Sequence, residues 1–411
     1  MTRQTRQTRR TFLATAGAVG FAGCSSIAGK APLPTDENQR KTRQGGASSV
    51  PVPHDFETLD EWQAVPRQGT LSKATDDPYQ GSQCARVTGS DETKEGHIVR
   101  SLSGADLRGT NLSVAVKVTS HDFAKIAVQL HAPDGRNVLR LKRTLVGPKD
   151  RWVRLNLGVT AATGSPDLAS VSDLRIVGRP VDTNASAPIE FLVDDLRTVS
   201  RPKTGAVMFT FDDSHTTHYR AFELMQKYDF AGVEAVIPES IGHDDRLTED
   251  QLSEMADGGW DISAHPDVQA RYFPDYSPEE QEDLLKGTQE YLQSRGFEDG
   301  ARHLLVPKNE VGPNTFDLAR KYYDTVFSFG ASPNAMPFEN EDAIVSRVNG
   351  KNLDVTKRYV DNAAEYGQLV VPLFHEVGTD GEISEADFES LLQYVEKQDV
   401  NVITASQLID G

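Results

Sequence analysis

Val207-Met208-Phe209-Thr210-Phe211-Asp212-Asp213 is an apolar run that ends on two adjacent carboxylates. It has the length of a strand covered on both faces, as in a parallel sheet sandwiched by helices. Similar runs follow at Val233–Pro238, Trp260–Ala264, His303–Pro307, Thr325–Phe329, Ala343–Val348, Leu369–Phe374 and Asn401–Thr404, giving eight in all with Ala206–Phe211. Helical patterns lie between them. Ala221, Leu224, Met225 and Tyr228 share one face, as do Leu284, Leu285, Thr288, Tyr291 and Leu292, and Thr248 opens a further helix with Asp250 and Gln251 in its first turn. Eight βα units predict a closed (β/α) barrel, whose chemistry sits on the loops after the strands.

Working back toward the N-terminus, residues 55–199 carry a different rhythm. Leu112–Val118, Ile126–Leu130, Trp152–Leu157 and Ile189–Asp195 alternate apolar and polar residues and are separated by turn clusters such as Pro133-Asp134-Gly135. Alternation with frequent turns predicts an antiparallel β-sandwich. The fold class expected is therefore multi-domain, with a jelly-roll-like sandwich over 53–200 and an α/β barrel over 203–411. Residues 24–52, rich in Ser, Gly and Pro, read as a flexible tether. Before it, Arg9-Arg10-Thr11-Phe12-Leu13, the apolar run Ala14–Ala22 and Gly23-Cys24 resemble a twin-arginine lipoprotein signal over 1–23. That resemblance implies export, lipidation of Cys24 and attachment to the membrane at the cell surface.

The composition is that of a folded soluble chain: 411 residues, 37% hydrophobic and 25% charged. Its net charge is −18, and the first 23 residues hold four arginines and no acid, so the remainder stands at −22. An acidic surface repels phosphate backbones and excludes nucleic acid as a partner. It also suits a salt-loving host, where molar salt shortens the screening length to roughly 3 Å.

Chemistry is expected where polar residues follow strands. Asp212 and Asp213 end the first, His265 the third, and His375-Glu376 the seventh, while His215 and His218 follow the two acids within a few residues. Carboxylate and imidazole donors on separate rigid strands suit a Zn²⁺-like ion that keeps a position open for water.

Thr210-Phe211-Asp212-Asp213, Gly259-Trp260-Asp261-Ile262-Ser263-Ala264-His265 and Leu369-Val370-Val371-Pro372-Leu373-Phe374-His375 resemble the motifs of the NodB-type polysaccharide deacetylases, over residues 203–410. The resemblance implies a metal-dependent esterase barrel, with Asp212 as base, Asp213 and His265 as ligands and His375 as general acid. The place of the family's second metal-binding histidine holds Gln269, and Val306-Pro307-Lys308 stands where an aspartate-orienting arginine is expected. Either His215 or His218 is then the candidate third ligand of zinc, or of cobalt or manganese. Lys308 and Trp260 are candidate substrate-side residues, Trp260 also fitting a core position.

Trp62, Trp152 and Phe191 of the sandwich are candidates for stacking on sugar or for core. The stretch from Phe56-Glu57 to Asp194-Asp195-Leu196 resembles jelly-roll sandwiches found beside carbohydrate-active domains, in which acids such as Asp55, Glu57 or Asp195 hold structural Ca²⁺. The expected function is metal-dependent removal of acetyl groups from a polysaccharide or amino sugar. The alternative is a glycan-binding surface lipoprotein without turnover.

Overall fold

The computed structural model describes residues 52–338 and 344–410, and residues 49–411 form one compact unit. The expected signal, Cys24 and all but the last residue of the tether lie outside the described residues.

The alternating runs form ten strands in two antiparallel sheets. One sheet orders Trp62–Ala64, Gly96–Ala105, Val171–Pro180, Phe123–His131 and Val138–Val146; the other orders Thr70–Ala74, Cys84–Thr88, Glu190–Ser200, Thr110–Val118 and Val153–Thr163. The last strand bends between sheets, since Val153–Leu157 pair with Thr110–Val118 and the residues from Gly158 pair with Val138–Val146. Inward residues such as Ile98, Val114, Ile126, Ile176 and Phe191 are fully buried, each contributing roughly 1.5–3 kcal/mol.

Seven parallel strands close the barrel, in the order Thr210–Asp212, Val233–Val236, Asp261–Ala264, His303–Leu305, Thr325–Phe329, Ile344–Asn349 and Pro372–Phe374. The expected eight become seven for a definite reason. The first and seventh runs are each broken in the middle, the latter at Val371, just before Pro372, which has no N–H to continue a ladder. Their first halves, Gly205–Val207 and Gln368–Val370, leave the barrel and pair with each other. Val400–Val402, the expected eighth strand, pairs with Gly205–Val207 outside the barrel. Asn334–Ala335 pairs with Gln368–Val370 on one side and with Leu157 of the sandwich on the other. The second sandwich sheet thus runs without interruption into the C-terminal half.

Met208, Val233, Ala235, Leu305, Phe327, Val345 and Val371 fill the barrel interior. Phe209, Phe211, Phe374, Phe388 and Trp260 pack ring against ring in the layer outside it. The helix expected at Thr248 is Glu249–Asp257, with a reciprocal Thr248–Gln251 capping box.

Candidate active site

Side chains alternate across a strand, so Met208, Thr210 and Asp212 face the barrel interior, and Val345 and Arg347 do the same. Asp212, 2% exposed, accepts from Arg347 Nη1 at 2.6 Å through Oδ1. Arg347 is fully buried, and its Nη2 donates to Asn309 Oδ1 at 2.6 Å. This arginine supplies the orienting charge that Val306-Pro307-Lys308 lacks. It comes from the sixth strand, and sequence reasoning missed it. A lone arginine flanked by Val345 and Val348 was the available signal, because an interior-facing guanidinium needs a partner.

Asp213 and Ser214 both have left-handed backbone, φ 79° and 58°, which costs non-glycine residues energy and marks a forced turn. The turn is held by Ser214, whose Oγ accepts from Ile237 N at 3.0 Å and whose carbonyl accepts from Leu247 N at 2.8 Å. It swings the Asp213 carboxylate onto the rim, with Oδ1 3.3 Å from His265 Nε2. Nδ1 of His265 donates to the Leu305 carbonyl at 2.8 Å, which fixes the ring and turns Nε2 to Asp213. Burial alone would raise the Asp213 carboxyl, but His265, His375 and His215 together hold it well below the usual carboxylate range. Burial works against protonating His265, and the Asp212 and Asp213 charges outweigh it and raise its pKa. His375 stands exposed just after Pro372–Phe374, near enough to act on Asp213.

Several expectations need correction. His218 is not a metal ligand, for it is fully buried outside the barrel wall with both ring nitrogens engaged. Nδ1 faces both Glu234 oxygens at 3.0 Å, and Nε2 meets the His375 carbonyl at 2.5 Å. Burial opposes its charge, yet Glu234 and that carbonyl raise its pKa, while burial raises the Glu234 carboxyl in turn. His215 fits no better. Its Nδ1 accepts from Arg246 Nη1 at 2.8 Å, which puts the ring proton on Nε2 and removes that lone pair from metal binding. Burial and Arg246 also lower its pKa, keeping it neutral. Gln269 is exposed. Among the described residues no three His, Cys, Asp or Glu side chains converge to hold a metal ion. Asp213 and His265 therefore offer two donors, and the set does not fit the three-ligand zinc centre expected from sequence.

The substrate-side expectations change as well. Lys308 donates to the Gln269 and Arg271 carbonyls, both at 2.7 Å, and lies 5.0 Å from the Tyr272 ring, so its ammonium clamps the loop after His265. Trp260 is 3% exposed and stacked on Phe211 at 5.1 Å, a core position. Trp62 and Phe191 are likewise core, while Trp152 is half-buried. The expected calcium acids have other partners. Asp195 is paired with Arg154 and Arg197, Glu57 accepts from Ser82 N at 2.8 Å, and Asp55 accepts from Glu57 N at 3.1 Å.

Over 66 residues the chain is 39% identical to YxkH of Bacillus subtilis (strain 168), whose name carries a polysaccharide deacetylase assignment; the match covers 16% of this chain and 24% of the relative's length. Among solved structures, the Streptococcus pyogenes deacetylase PplD in complex with acetate is 24% identical, with 34% of this chain and 62% of that one covered and a TM-score of 0.31. A family 11 carbohydrate-binding module from Clostridium thermocellum is 14% identical, covering 37% of this chain and 98% of that one at a TM-score of 0.28. Residues 200–325, which carry Asp212, Asp213 and His265 but neither Arg347 nor His375, match the family model described as Polysaccharide deacetylase.

Proposed function

We propose that the chain is a carbohydrate deacetylase, a hydrolase that removes acetyl groups from an amino sugar or an esterified polysaccharide. The observation that carries this reading is the buried Arg347–Asp212 pair beside Asp213 and His265, at the strand ends of a barrel whose residues 200–325 match the deacetylase family. Arg347 holds Oδ1 of Asp212 and leaves Oδ2 to take a proton from water. The water oxygen then bonds to the acetyl carbon. As the carbon–nitrogen or carbon–oxygen bond breaks, His375 as general acid gives a proton to the departing amine or alcohol, and acetate is the second product. Dependence on a divalent ion, zinc or in its place cobalt or manganese, has the support of two donors only, and no step here uses it.

The experiment is acetate detection after incubation with N-acetylated chitooligosaccharides and with acetylated xylan. Release from the first alone defines an amidase, and release from the second an esterase. The incomplete ligand set favours one second reading, a cleft that binds glycan without turnover. Glycan binding by calorimetry with no acetate from either substrate decides for it.

Location follows from residues 9–24, which support an exported, lipid-anchored protein at the cell surface. Cys24→Ala is expected to move the protein from the membrane fraction to the soluble fraction, and an unchanged distribution contradicts the anchor.

A further inference from the structure

Arg347 owes its place to residues far from the cleft. Asn334, fully buried in the short strand that joins sandwich to barrel, grips the preceding residue by both backbone groups: Nδ2 donates to Ser346 O at 2.9 Å and Oδ1 accepts from Ser346 N at 2.8 Å. The same Oδ1 accepts from Arg143 Nη2 at 3.0 Å, which reaches across from sandwich strand Val138–Val146 and also donates to Asn156 O at 2.8 Å. A second path runs through the backbone. The Arg347 carbonyl accepts from Gly330 N at 3.2 Å and Ala331 N at 3.0 Å, and the Gly330 carbonyl accepts from Thr144 N at 2.9 Å, on that same sandwich strand. Gly330 has no room for a side chain there, since a Cβ would meet Ser346 Oγ and Arg143 Cδ.

Arg143 is an expensive residue to keep. It is 4% exposed, it forms no ion pair among the described residues, its Nε has no partner, and burial alone pushes its pKa down to about 9. An apolar side chain of similar size would fill the space without that cost. What the guanidinium adds is a bond to Asn156 O within the sandwich and a bond to Asn334, and through Asn334 the orientation of the Ser346–Arg347 backbone.

We infer that Arg143 and Asn334 are positioning residues for the Arg347–Asp212 pair, so that the sandwich is a working part of the hydrolytic site rather than an appended glycan-binding module. The guanidinium lies at the end of a long side chain, so a small tilt at Ser346 becomes a large displacement at Asp212. Misplacing a reacting group by about 1 Å costs on the order of a hundredfold in rate. The functional part of the inference rests on the deacetylase reading.

The test compares the full chain with Arg143→Met, Arg143→Lys, Asn334→Ala and the double variant Arg143→Met/Asn334→Ala, on whichever acetylated glycan the wild type turns over. Arg143→Met is expected to lower kcat about tenfold or more while leaving KM within about twofold, because neither residue touches the cleft. Arg143→Lys should recover part of the loss by offering a donor to Asn334. The double variant should be no worse than the weaker single, because both act through Ser346. Unchanged kcat in Arg143→Met, a loss confined to KM, or multiplicative losses in the double variant would overturn the inference. Should Arg143→Met fail to fold, Asn334→Ala carries the test on the same kcat criterion. If the wild type releases no acetate, the deacetylase reading fails, and crystal structures of the variants then judge the inference alone. Arg347 Nη1 displaced from Asp212 supports it, and the 2.6 Å contact kept in every variant overturns it.

Discussion

Glu234 and His218 pose the sharpest energetic question among single residues. Both are wholly buried, and each is the other's only charged partner within hydrogen-bond reach among the described residues. Removing one partner of such a pair leaves an uncompensated charge and costs about 3–5 kcal/mol, whereas replacing both with apolar residues is far milder. His218→Leu is therefore expected to lower the denaturant midpoint sharply, and His218→Leu/Glu234→Leu to recover much of the loss; a double variant as unstable as the single contradicts the assignment. The positions differ in how far they could be read from sequence. Asp212 ends a strand and His265 and His375 each follow one, which the sequence shows directly, whereas Asp213 reaches the rim only through the left-handed turn at Asp213–Ser214. His218 reads as a candidate ligand near a helix start, yet its spacing of three residues from Ala221 and seven from Met225 puts it on the buried face of Thr217–Gln226. Glu234 did carry a signal: an acid in the middle of Val233–Val236, a strand covered on both sides, requires a buried partner.

Among the elements, the floor of the barrel is closed by the helix Ala405–Asp410 in place of an eighth strand. Ser406 N and Oγ both donate to Asp261, and His303 sits between Thr325 Oγ1 at 2.7 Å and Ser406 Oγ at 3.0 Å. Burial lowers the His303 pKa from 6.5 to about 4. The folded state thus binds fewer protons than the unfolded chain between these values. Its contribution to stability is fully present above pH 6.5 and is lost as pH falls toward 4. His303→Gln should flatten that part of the stability–pH curve measured by chemical denaturation; an unchanged slope contradicts a buried neutral imidazole. Element type was legible from the switch between alternating and 3.6-residue patterns. The splitting of two strands was not, because Ala206–Phe211 and Leu369–Phe374 are continuous apolar runs, and only tertiary pairing decides where such a run changes partners. Pro372 was the one local hint.

At the scale of the whole molecule, the uninterrupted sheet makes the two expected modules interdependent. Gly158 of the sandwich lies so close to the Pro333 carbonyl that a Cβ would collide with it, and Asn362 Nδ2 donates to Val159 O at 2.9 Å. A fragment of residues 203–411 would leave Asn334–Ala335 without its sandwich partner and expose a sheet edge and buried polar groups to water. It is expected to show no cooperative thermal transition, whereas residues 49–411 should melt in one; an independently folding, active fragment contradicts this picture. The change of rhythm near residue 200 sets the expected boundary in the sequence, but hydrogen bonds between distant strands leave no mark in local composition. The central claim is that Asp212, oriented by Arg347, activates water for deacetylation. Its most direct test is the rate of acetate release from an acetylated glycan by the wild type, Asp212→Asn and Arg347→Met, with correct folding checked by circular dichroism. The expected result is release by the wild type and a fall of about 10²–10⁴-fold in Asp212→Asn, with a substantial fall in Arg347→Met. Equal rates in wild type and Asp212→Asn would contradict it.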